Sequence, residues 1–170
     1  MTIKKIDSTN IDALIHIAEK TFRAAYAHLS KPEDIDAYIS AAFSSEKLLR
    51  ELSHSDSDFY FAMIDDEPAG YLKLNYNNAQ TEFKDHDGME IERLYVLPGR
   101  QRQQIGQRLL TFALQQAIEK QMRYVWLGVW EINHKAISFY ERNEFKITGR
   151  HTFPFGDEKD ADLLMRRDLP

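Results

Sequence analysis

A strand, a polar turn and a helix follow one another between Glu90 and Leu110, and their residue types suit the binding of an anion. The segment has an apolar strand, a Pro-Gly break, a polar turn with one further glycine and then an amphipathic helix. Free backbone N–H groups and the positive end of the helix dipole converge at such a helix start. The sequence therefore predicts a site for a phosphate-type group at this turn.

The charge distribution along the chain supports this prediction. Residues 93–117 contain four arginines and no acidic residue, whereas the whole chain has a net charge of −5. The four are Arg93, Arg100, Arg102 and Arg108. A basic patch in an acidic chain favours the anion site, although arginines on a helix can also form an ordinary solvated face.

Size and composition fit one domain that spans residues 1–170. Apolar residues make up 43% of the chain and charged residues 29%, which are ordinary fractions for a globular protein. The absence of cysteine excludes disulfides and thiolate chemistry of the protein itself. The N-terminus has no signal-peptide pattern, and no apolar run approaches the ~20 residues of a membrane helix. We therefore expect a cytoplasmic protein with no membrane partner.

The acidic balance also bears on the partners. Bulk nucleic-acid binding requires a wide basic face, so we expect no nucleic-acid partner. A small cationic substrate is compatible with the negative charge, which is equally typical of cytoplasmic proteins that need it only for solubility. The six histidines show no metal-ligand spacing, and we expect no metal site.

Periodicity and turn signals predict the elements that must position the turn. Five helices are expected. The first carries residues 11–22, the second starts at 30–33 and carries 35–42, and the third follows Ser44 as its cap and carries 48–52. The last two occupy residues 103–119 and 133–142. Strands are expected at 3–6, 59–64, 69–75, 89–97, 124–130, 145–151 and 161–168, with a surface loop at 77–88 and a polar turn at 156–160. Ser30 and Glu33 have the spacing of a capping box around Pro32. The order indicates an α/β or α+β fold with one right-handed crossover between strands 89–97 and 124–130.

Two short motifs resemble those of a known enzyme family. Gln101-Arg102-Gln103-Gln104-Ile105-Gly106 resembles the acyl-CoA pyrophosphate signature Gln/Arg-x-x-Gly-x-Gly/Ala of the GCN5-related N-acetyltransferases (GNAT). The segment from Asn133 to Tyr140 resembles their second motif, Asn-x-x-Ala-x-x-x-Tyr, at the expected distance downstream. The resemblance extends over nearly the whole chain, to the PaiA-type spermine/spermidine acetyltransferases, through segments 30–39, 126–131, 151–153, 156–157 and 162–165.

The resemblance implies a fold and an activity. The fold is a mixed, largely antiparallel sheet of six to seven strands with helices on both faces and a splayed central parallel pair. The activity is acetyl transfer from acetyl-CoA to a primary amine by direct attack, with a polyamine as the favoured acceptor. The alternatives are another small amine, a protein N-terminus, or a non-catalytic acyl-CoA-binding module that regulates a partner. A homodimer is possible in this family.

The resemblance also assigns roles to residues. Backbone N–H groups of Leu94 and Val96 match the oxyanion donors, those from Arg102 to Gln107 match the pyrophosphate cradle, and Asn133 matches the amide that holds the pantetheine arm. Tyr140 matches the tyrosine that protonates the leaving thiolate. The full set of expected acetyl-CoA contacts is Leu94, Tyr95, Val96, Gln101, Arg102, Gln103, Gln104, Ile105, Gly106, Gln107, Asn133, Ala136 and Tyr140.

The general base is expected to be Glu90 or Glu92, acting directly or through water. Both are predicted to share a strand face with Leu94, because side chains alternate with a period of two. Each residue also has an ordinary interpretation: the glutamates as solubilising charges and Tyr140 as part of the core. Tyr26, His28, Glu33, Asp34 and Asp36 belong to the first helices, which often cover the amine in this family, and are equally compatible with a plain surface.

Two family glycines are replaced in this chain, by Gln104 in the first motif and by Glu144 after the second. Depending on the backbone angle φ, a side chain at position 104 points toward the pyrophosphate or crowds it. Backbone N–H donation does not use the side chain, so it is compatible with both replacements.

Overall fold

The computed structural model of the chain describes residues 1–155 and 158–170, so part of the expected polar turn at 156–160 lies outside the described residues. The strands in these ranges are β1 (Thr2–Lys5), β2 (Ser57–Ile64), β3 (Glu67–Asn75), β4 (Gly88–Val96), β5 (Tyr124–Trp130), β6 (Lys146–Phe155) and β7 (Glu158–Asp168). The helices are α1 (Ile11–Tyr26), α2 (Pro32–Ala42), α3 (Ser45–Leu52), α4 (Ile105–Glu119) and α5 (His134–Arg142). Short 3₁₀ turns occupy residues 8–10, 77–79 and 98–100.

The seven described strands form one sheet in the order β1-β2-β3-β4-β5-β7-β6. Every neighbouring pair is antiparallel except β4 and β5, which are parallel and joined through α4. The predicted mixed, largely antiparallel sheet of six to seven strands is confirmed. No helix within residues 1–155 and 158–170 is both long and apolar enough to cross a membrane.

Side-chain caps start α3 and α5, whereas the N-cap residues of α1, α2 and α4 make no side-chain cap bond. Ser44 caps α3 by accepting a hydrogen bond from the Lys47 N–H at 3.3 Å, as predicted. The expected capping box at Ser30 is wrong, because α2 starts one residue later, with Lys31 as its N-cap and no side-chain cap bond. Pro32 explains the shift, since its ring favours extended backbone at the preceding residue and suits the first helical position.

Apolar side chains cover both faces of the sheet. One cluster, called the α4 face, packs α4 and α5 against residues such as Leu72, Ile91 and Val125. The other, called the α1 face, packs α1, α2 and α3 against residues such as Phe59 and Phe61. Helices on both faces were predicted, and this layering leaves the central strands buried on two sides.

The central parallel pair separates soon after it begins. β4 and β5 pair only through Gly88–Tyr124, Met89–Val125 and Glu90–Trp126, while the rest of β5 pairs with β7. The gap opens toward the carboxyl ends of both strands, where the turns that lead into α4 and α5 also lie. In open sheets with parallel strands, this edge is where ligands bind.

Candidate active site

A bulge in β4 decides which side chains face the gap. β4 has one more residue than β3 opposite the step from Lys73 to Leu74, and that extra residue is Glu92. Because a bulge interrupts the alternation of side chains, Glu90 and Glu92 face the cavity described next, whereas Leu94 packs on the α4 face. The prediction that the two glutamates share a face with Leu94 is therefore wrong.

A cavity of about 400 Å³ is bounded by α1, α2 and the separated strands on the α1 face. Seven aromatic residues line it: Phe22, Tyr26, Tyr38, Phe43, Tyr95, Trp126 and Trp130. Four carboxylates also line it: Glu82, Glu90, Glu92 and Asp162. The basic lining residues are Arg93 and His151, and both are paired with carboxylates. The cavity therefore offers aromatic faces and an excess of negative charge.

Both carboxylate oxygens of Glu90 accept hydrogen bonds. Oε2 accepts from Asn75 Nδ2 at 3.0 Å and from the Thr81 N–H at 2.8 Å, and Oε1 accepts from the Thr81 hydroxyl at 2.6 Å. Glu90 is 2% exposed, and burial raises the pKa of its carboxyl despite the opposing effect of these bonds. Glu90 thereby fastens the residue 81 segment to β4.

Glu92 is held by two cations. Its Oε2 lies 2.5 Å from Lys73 Nζ, and its Oε1 lies 3.0 Å from Arg93 Nη2. Glu51 of α3 binds the same two cations, each at 2.9 Å. Burial alone raises the pKa of Glu92, but Arg93 and Lys73 outweigh burial and hold the pKa below its usual value. Arg93 is 8% exposed in this cluster, so its assignment to the basic patch of the turn is wrong.

Asp162 is a lining carboxylate that sequence reasoning missed. It lies on β7 opposite Trp130 of β5 and His151 of β6. Burial raises the pKa of its carboxyl to about 6, with His151 opposing the rise and Glu82 adding to it. Alternation along β7 groups Asp162 with Leu164, but only the strand order shows that this face borders the cavity.

The segment after β3 is more than the expected surface loop. Gln80 is 1% exposed, its amide donates to the Asp85 carbonyl at 2.8 Å, and its Oε1 accepts from Trp126 Nε1 at 2.6 Å. These bonds hold Thr81 and Glu82 in the cavity wall. Trp126 therefore does more than pack, because its indole N–H positions the loop.

Tyr26 at the end of α1 reaches across the separated strands. Its hydroxyl lies 3.2 Å from the Tyr95 hydroxyl of β4, its ring centre lies 5.4 Å from that of Trp130 on β5, and its hydroxyl also lies near Asn133. Of the other acidic and histidine candidates in the first helices, Asp36 forms a surface ion pair with Arg23. His28 and Glu33 are exposed and Asp34 is half-buried, and none of the three lines the cavity.

Asn133 and Tyr140 lie together on α5. Asn133 is the N-cap of α5, where its Oδ1 accepts from the Ala136 N–H at 3.2 Å. Tyr140 is 8% exposed and packs edge-on against Phe145. Burial raises the pKa of Tyr140, and the nearby Tyr26 hydroxyl raises it further, so the phenol keeps its proton at neutral pH.

Backbone N–H groups of β4 face the gap. The Leu97 N–H donates to the Ala69 carbonyl at 2.9 Å, on the β3 side. Since N–H directions alternate along a strand, those of Leu94 and Val96 point toward β5. The parallel ladder with β5 ends at Glu90, so these two donors look into the opening.

Comparison with known proteins bears on what this opening does. Residues 11–145 match the model of the acetyltransferase (GNAT) family. The chain belongs to the GNAT family. A relative described as an uncharacterized N-acetyltransferase, from Lactobacillus delbrueckii subsp. lactis, is 34% identical over 98% of this chain and 96% of its own length.

Two matches from Thermoplasma acidophilum carry a described activity and a ligand. A spermidine N(1)-acetyltransferase is 30% identical over 97% of this chain and 95% of its own length. The crystal structure of a PaiA N-acetyltransferase in complex with coenzyme A is 26% identical, has a TM-score of 0.81, and is matched over 99% of this chain and 100% of its own. The predicted family is confirmed, and the protein is an N-acetyltransferase that uses acetyl-CoA.

The start of α4 fits the pyrophosphate of this GNAT donor. Gln104 is the N-cap of α4, and its side chain makes no cap bond. It therefore accepts no hydrogen bond from the first-turn N–H groups of Ile105, Gly106 and Gln107, which are the kind of donors that bind an anion. A Cβ atom on Gly106 would come within 3.8 Å of Val96, so the helix start packs closely on β4. Arg102 is exposed beside this turn. The individual contacts remain predictions.

The replaced glycines keep the backbone of glycine. Gln104 has φ of 59° and Glu144 has φ of 67°, both in the left-handed region that glycine favours. Glu144 is also tied to Arg167 of β7 by an ion pair of 2.7 Å. The GNAT turn therefore retains its conformation although two glycines are gone.

Side chains join the two helices that flank the donor site. Lys135 Nζ of α5 donates to Gln101 Oε1 at 3.1 Å. The amides of Gln107 on α4 and Asn143 after α5 exchange two hydrogen bonds, at 2.7 and 3.2 Å. Gln101 and Gln107 were predicted as acetyl-CoA contacts, and these bonds give both a structural role as well.

Proposed function

We propose that this N-acetyltransferase acetylates a primary amine of a small polycation, a polyamine such as spermidine or spermine. The observation that carries the proposal is the composition of the cavity beside the separated strands. Seven aromatic residues and four carboxylates line it, and its two basic residues are already paired with carboxylates. Ammonium groups bind both to carboxylates and to aromatic faces, the latter by cation–π attraction.

The relatives support the same acceptor class. The spermidine N(1)-acetyltransferase of Thermoplasma acidophilum matches nearly the whole length of this chain. The match includes the segments that build the cavity, since these are spread from α1 to β7. An acceptor with several amines suits a lining with several carboxylates.

The proposal gives each side of the opening a task. Acetyl-CoA supplies the thioester when bound. N–H groups of Leu94 and Val96 hold the developing negative charge of the carbonyl oxygen, and the start of α4 holds the pyrophosphate. Asn133, whose Oδ1 caps α5, contacts the pantetheine arm through its side-chain amide. Tyr140 keeps its proton by burial and gives it to the thiolate.

Thiol release from acetyl-CoA, measured over a panel of acceptors, tests the proposal. The panel contains spermidine, spermine, a monoamine of matched length and a peptide with a free N-terminus. We expect the two polyamines to give the highest kcat/KM, at least 10-fold above the monoamine, because they place a second ammonium among the carboxylates. Preference for the monoamine or the peptide contradicts the polyamine assignment, and binding of coenzyme A with no turnover on any amine favours the regulatory module instead.

Several expectations about the whole protein stay predictions. They are the single domain over residues 1–170, the cytoplasmic location, the homodimer, and the absence of a metal, of a nucleic-acid partner and of a membrane partner. Size-exclusion chromatography with light scattering measures the oligomeric state directly.

A further inference from the structure

The cavity contains four carboxylates, and three of them are already engaged. Glu92 is neutralised by Lys73 and Arg93. Both oxygens of Glu90 accept hydrogen bonds from Asn75 and Thr81. A carboxylate that is held in this way has little capacity left to take a proton from a substrate, since proton transfer would break bonds already made.

Glu82 is engaged as well, by an ion pair with His151 Nδ1. Asp162 differs from these three residues. In the part of the chain that the structure describes, no hydrogen bond or ion pair within bonding distance holds its carboxylate. The charge of His151 acts on it, but the ring of His151 is paired with Glu82. Asp162 is therefore the lining carboxylate that is free to meet a new cation.

The position of Asp162 is determined by strand order and by a glycine. β7 lies directly beside β5 on the far side of the opening from β4. Gly128 of β5 has no side chain, and a Cβ atom there would lie 3.3 Å from Asp162 Oδ2. The missing side chain leaves the carboxylate room beside the strand that borders the acetyl position.

From this geometry we propose that Asp162 is the catalytic base that takes the proton from the substrate ammonium, in place of either glutamate of β4. The inference rests on the proposed function, because it requires an amine acceptor in the cavity. In the reaction, one ammonium proton passes to Asp162, the nitrogen lone pair then attacks the thioester carbonyl, and the carbon–sulfur bond breaks. The second nitrogen proton passes to water as the tetrahedral adduct collapses, and Tyr140 gives its proton to the thiolate and regains one from water. Asp162 returns its proton to water, so each turnover releases one net proton.

The raised pKa of Asp162, about 6, suits a base that is ionised at neutral pH. Its surroundings contain groups of both signs that titrate or carry charge. They are His151 on β6, Asp160 on β7, Glu82 in the loop after β3, Tyr26 on α1, and Glu90, Glu92 and Arg93 on β4. Of these, His151 acts directly on the carboxyl of Asp162, so its contribution must be separated from that of Asp162.

Steady-state kinetics of Asp162→Asn, Glu90→Gln and the wild type, with spermidine from pH 5.5 to 9.5, test the inference. We expect Asp162→Asn to lower kcat at least 100-fold at pH 7, to lose the acidic limb of the wild-type profile near pH 6, and to recover toward pH 9.5 as free amine accumulates. Glu90→Gln is expected to lose less than 10-fold and to keep the limb. A His151→Gln variant should also keep the limb.

Asp168→Asn, on the same strand and outside the cavity, is the matched control and should leave the profile unchanged. Coenzyme A binding and the unfolding temperature, measured on each variant, show that the fold is intact. If Asp162→Asn raises KM with kcat unchanged, or if Glu90→Gln loses more activity than Asp162→Asn, the base assignment is wrong while the amine acetyltransferase stands. A wild type inactive on every amine overturns both.

Discussion

The two sides of the opening between β4 and β5 are built in different ways. On the α4 face, the proposed donor side consists of two short segments, each a strand end, a turn and a helix start. On the α1 face, the acceptor side collects residues from α1, α2, the loop after β3, and β4 to β7. The donor side uses backbone groups, whereas the acceptor side uses side chains. A GNAT chain can therefore keep one donor and change acceptors by substitution on one face.

The difference also appears in how charge is handled. The arginines beside the donor turn are exposed or half-buried, with Arg102 fully at the surface. The charges under the acceptor cavity are buried and paired, with Lys73 4% and Arg93 8% exposed. Buried pairs are costly to break because one partner is left desolvated, whereas surface charges contribute little to stability.

Lys73→Met should destabilise the buried charge cluster under the acceptor cavity. Lys73 Nζ lies 2.9 Å from Glu51 and 2.5 Å from Glu92, and its removal leaves the cluster with an excess buried negative charge. We expect a loss of about 3–5 kcal/mol in the free energy of unfolding, measured by urea denaturation at pH 7. Lys5→Met is the control, since Lys5 is a strand lysine whose own side chain is 64% exposed although its partner Asp58 is 12% exposed, and it should cost clearly less than Lys73→Met. Equal losses would show that buried charge does not hold this side together.

Tyr140→Phe tests the donor side by removing one hydroxyl. We expect kcat to fall about 100-fold with the KM for acetyl-CoA nearly unchanged, because the phenol acts when the thiolate leaves and not when acetyl-CoA binds. Tyr60→Phe is the control, as Tyr60 is buried to a similar degree on the same face, at 6% against 8% exposed. A Tyr140→Phe enzyme with wild-type kcat would leave Tyr140 as a core residue only.

The sequence was informative on the donor side because that side is local. Each of its two motifs lies in one turn and the helix that follows it. Their spacing alone places residues 101–107 at the start of α4 and residues 133–140 along α5. The helices, strands and mixed sheet follow in the same way from periodicity and caps. The error at Ser30 arises from one proline, whose effect on Lys31 competes with the capping-box spacing.

The acceptor side could not be predicted to the same extent. The bulge at Glu92 has no local sequence signal, so alternation placed Glu90 and Glu92 on the wrong face relative to Leu94. Arg93 was counted in the basic patch because its partner Glu51 is 42 residues away. Asp162 borders the cavity only because β7 inserts between β5 and β6. These are long-range features, which strand pairing creates and single-sequence patterns do not contain.

Asp162→Asn should stabilise the fold at neutral pH while it impairs the reaction. The pKa of Asp162 is about 6 in the folded protein, above the ordinary value of 3.8 that it has in an unfolded chain. Between these values the folded state binds more protons, so the wild type loses stability as pH rises from about 4 to 6 and the variant avoids that loss. After a discount for partial exposure, we expect a gain of about 1–2 kcal/mol at pH 7.5 and none at pH 3.5.

Urea denaturation of the variant and the wild type at both pH values measures this difference, and other titrating groups cancel because both proteins share them. Asp168→Asn serves again as the control and should show no gain at either pH. A gain that is the same at pH 3.5 and 7.5 would contradict ionisation of Asp162 as its cause.

Gln104→Gly is expected to have the smallest effect and tests the donor turn itself. Left-handed backbone costs a non-glycine residue about 1–2 kcal/mol, and glycine at position 104 would remove this strain. Glycine also gives the unfolded chain more conformational freedom, which lowers the stability by about 0.5–1 kcal/mol. We therefore expect a net gain of about 0.5–1 kcal/mol in unfolding free energy, whereas Gln103→Gly, which has no positive φ to relieve, should lose stability. The KM for acetyl-CoA should change less than about 2-fold, because the donors are backbone N–H groups that both variants keep. A KM that falls 10-fold in Gln104→Gly alone would instead show that the glutamine side chain crowds the pyrophosphate.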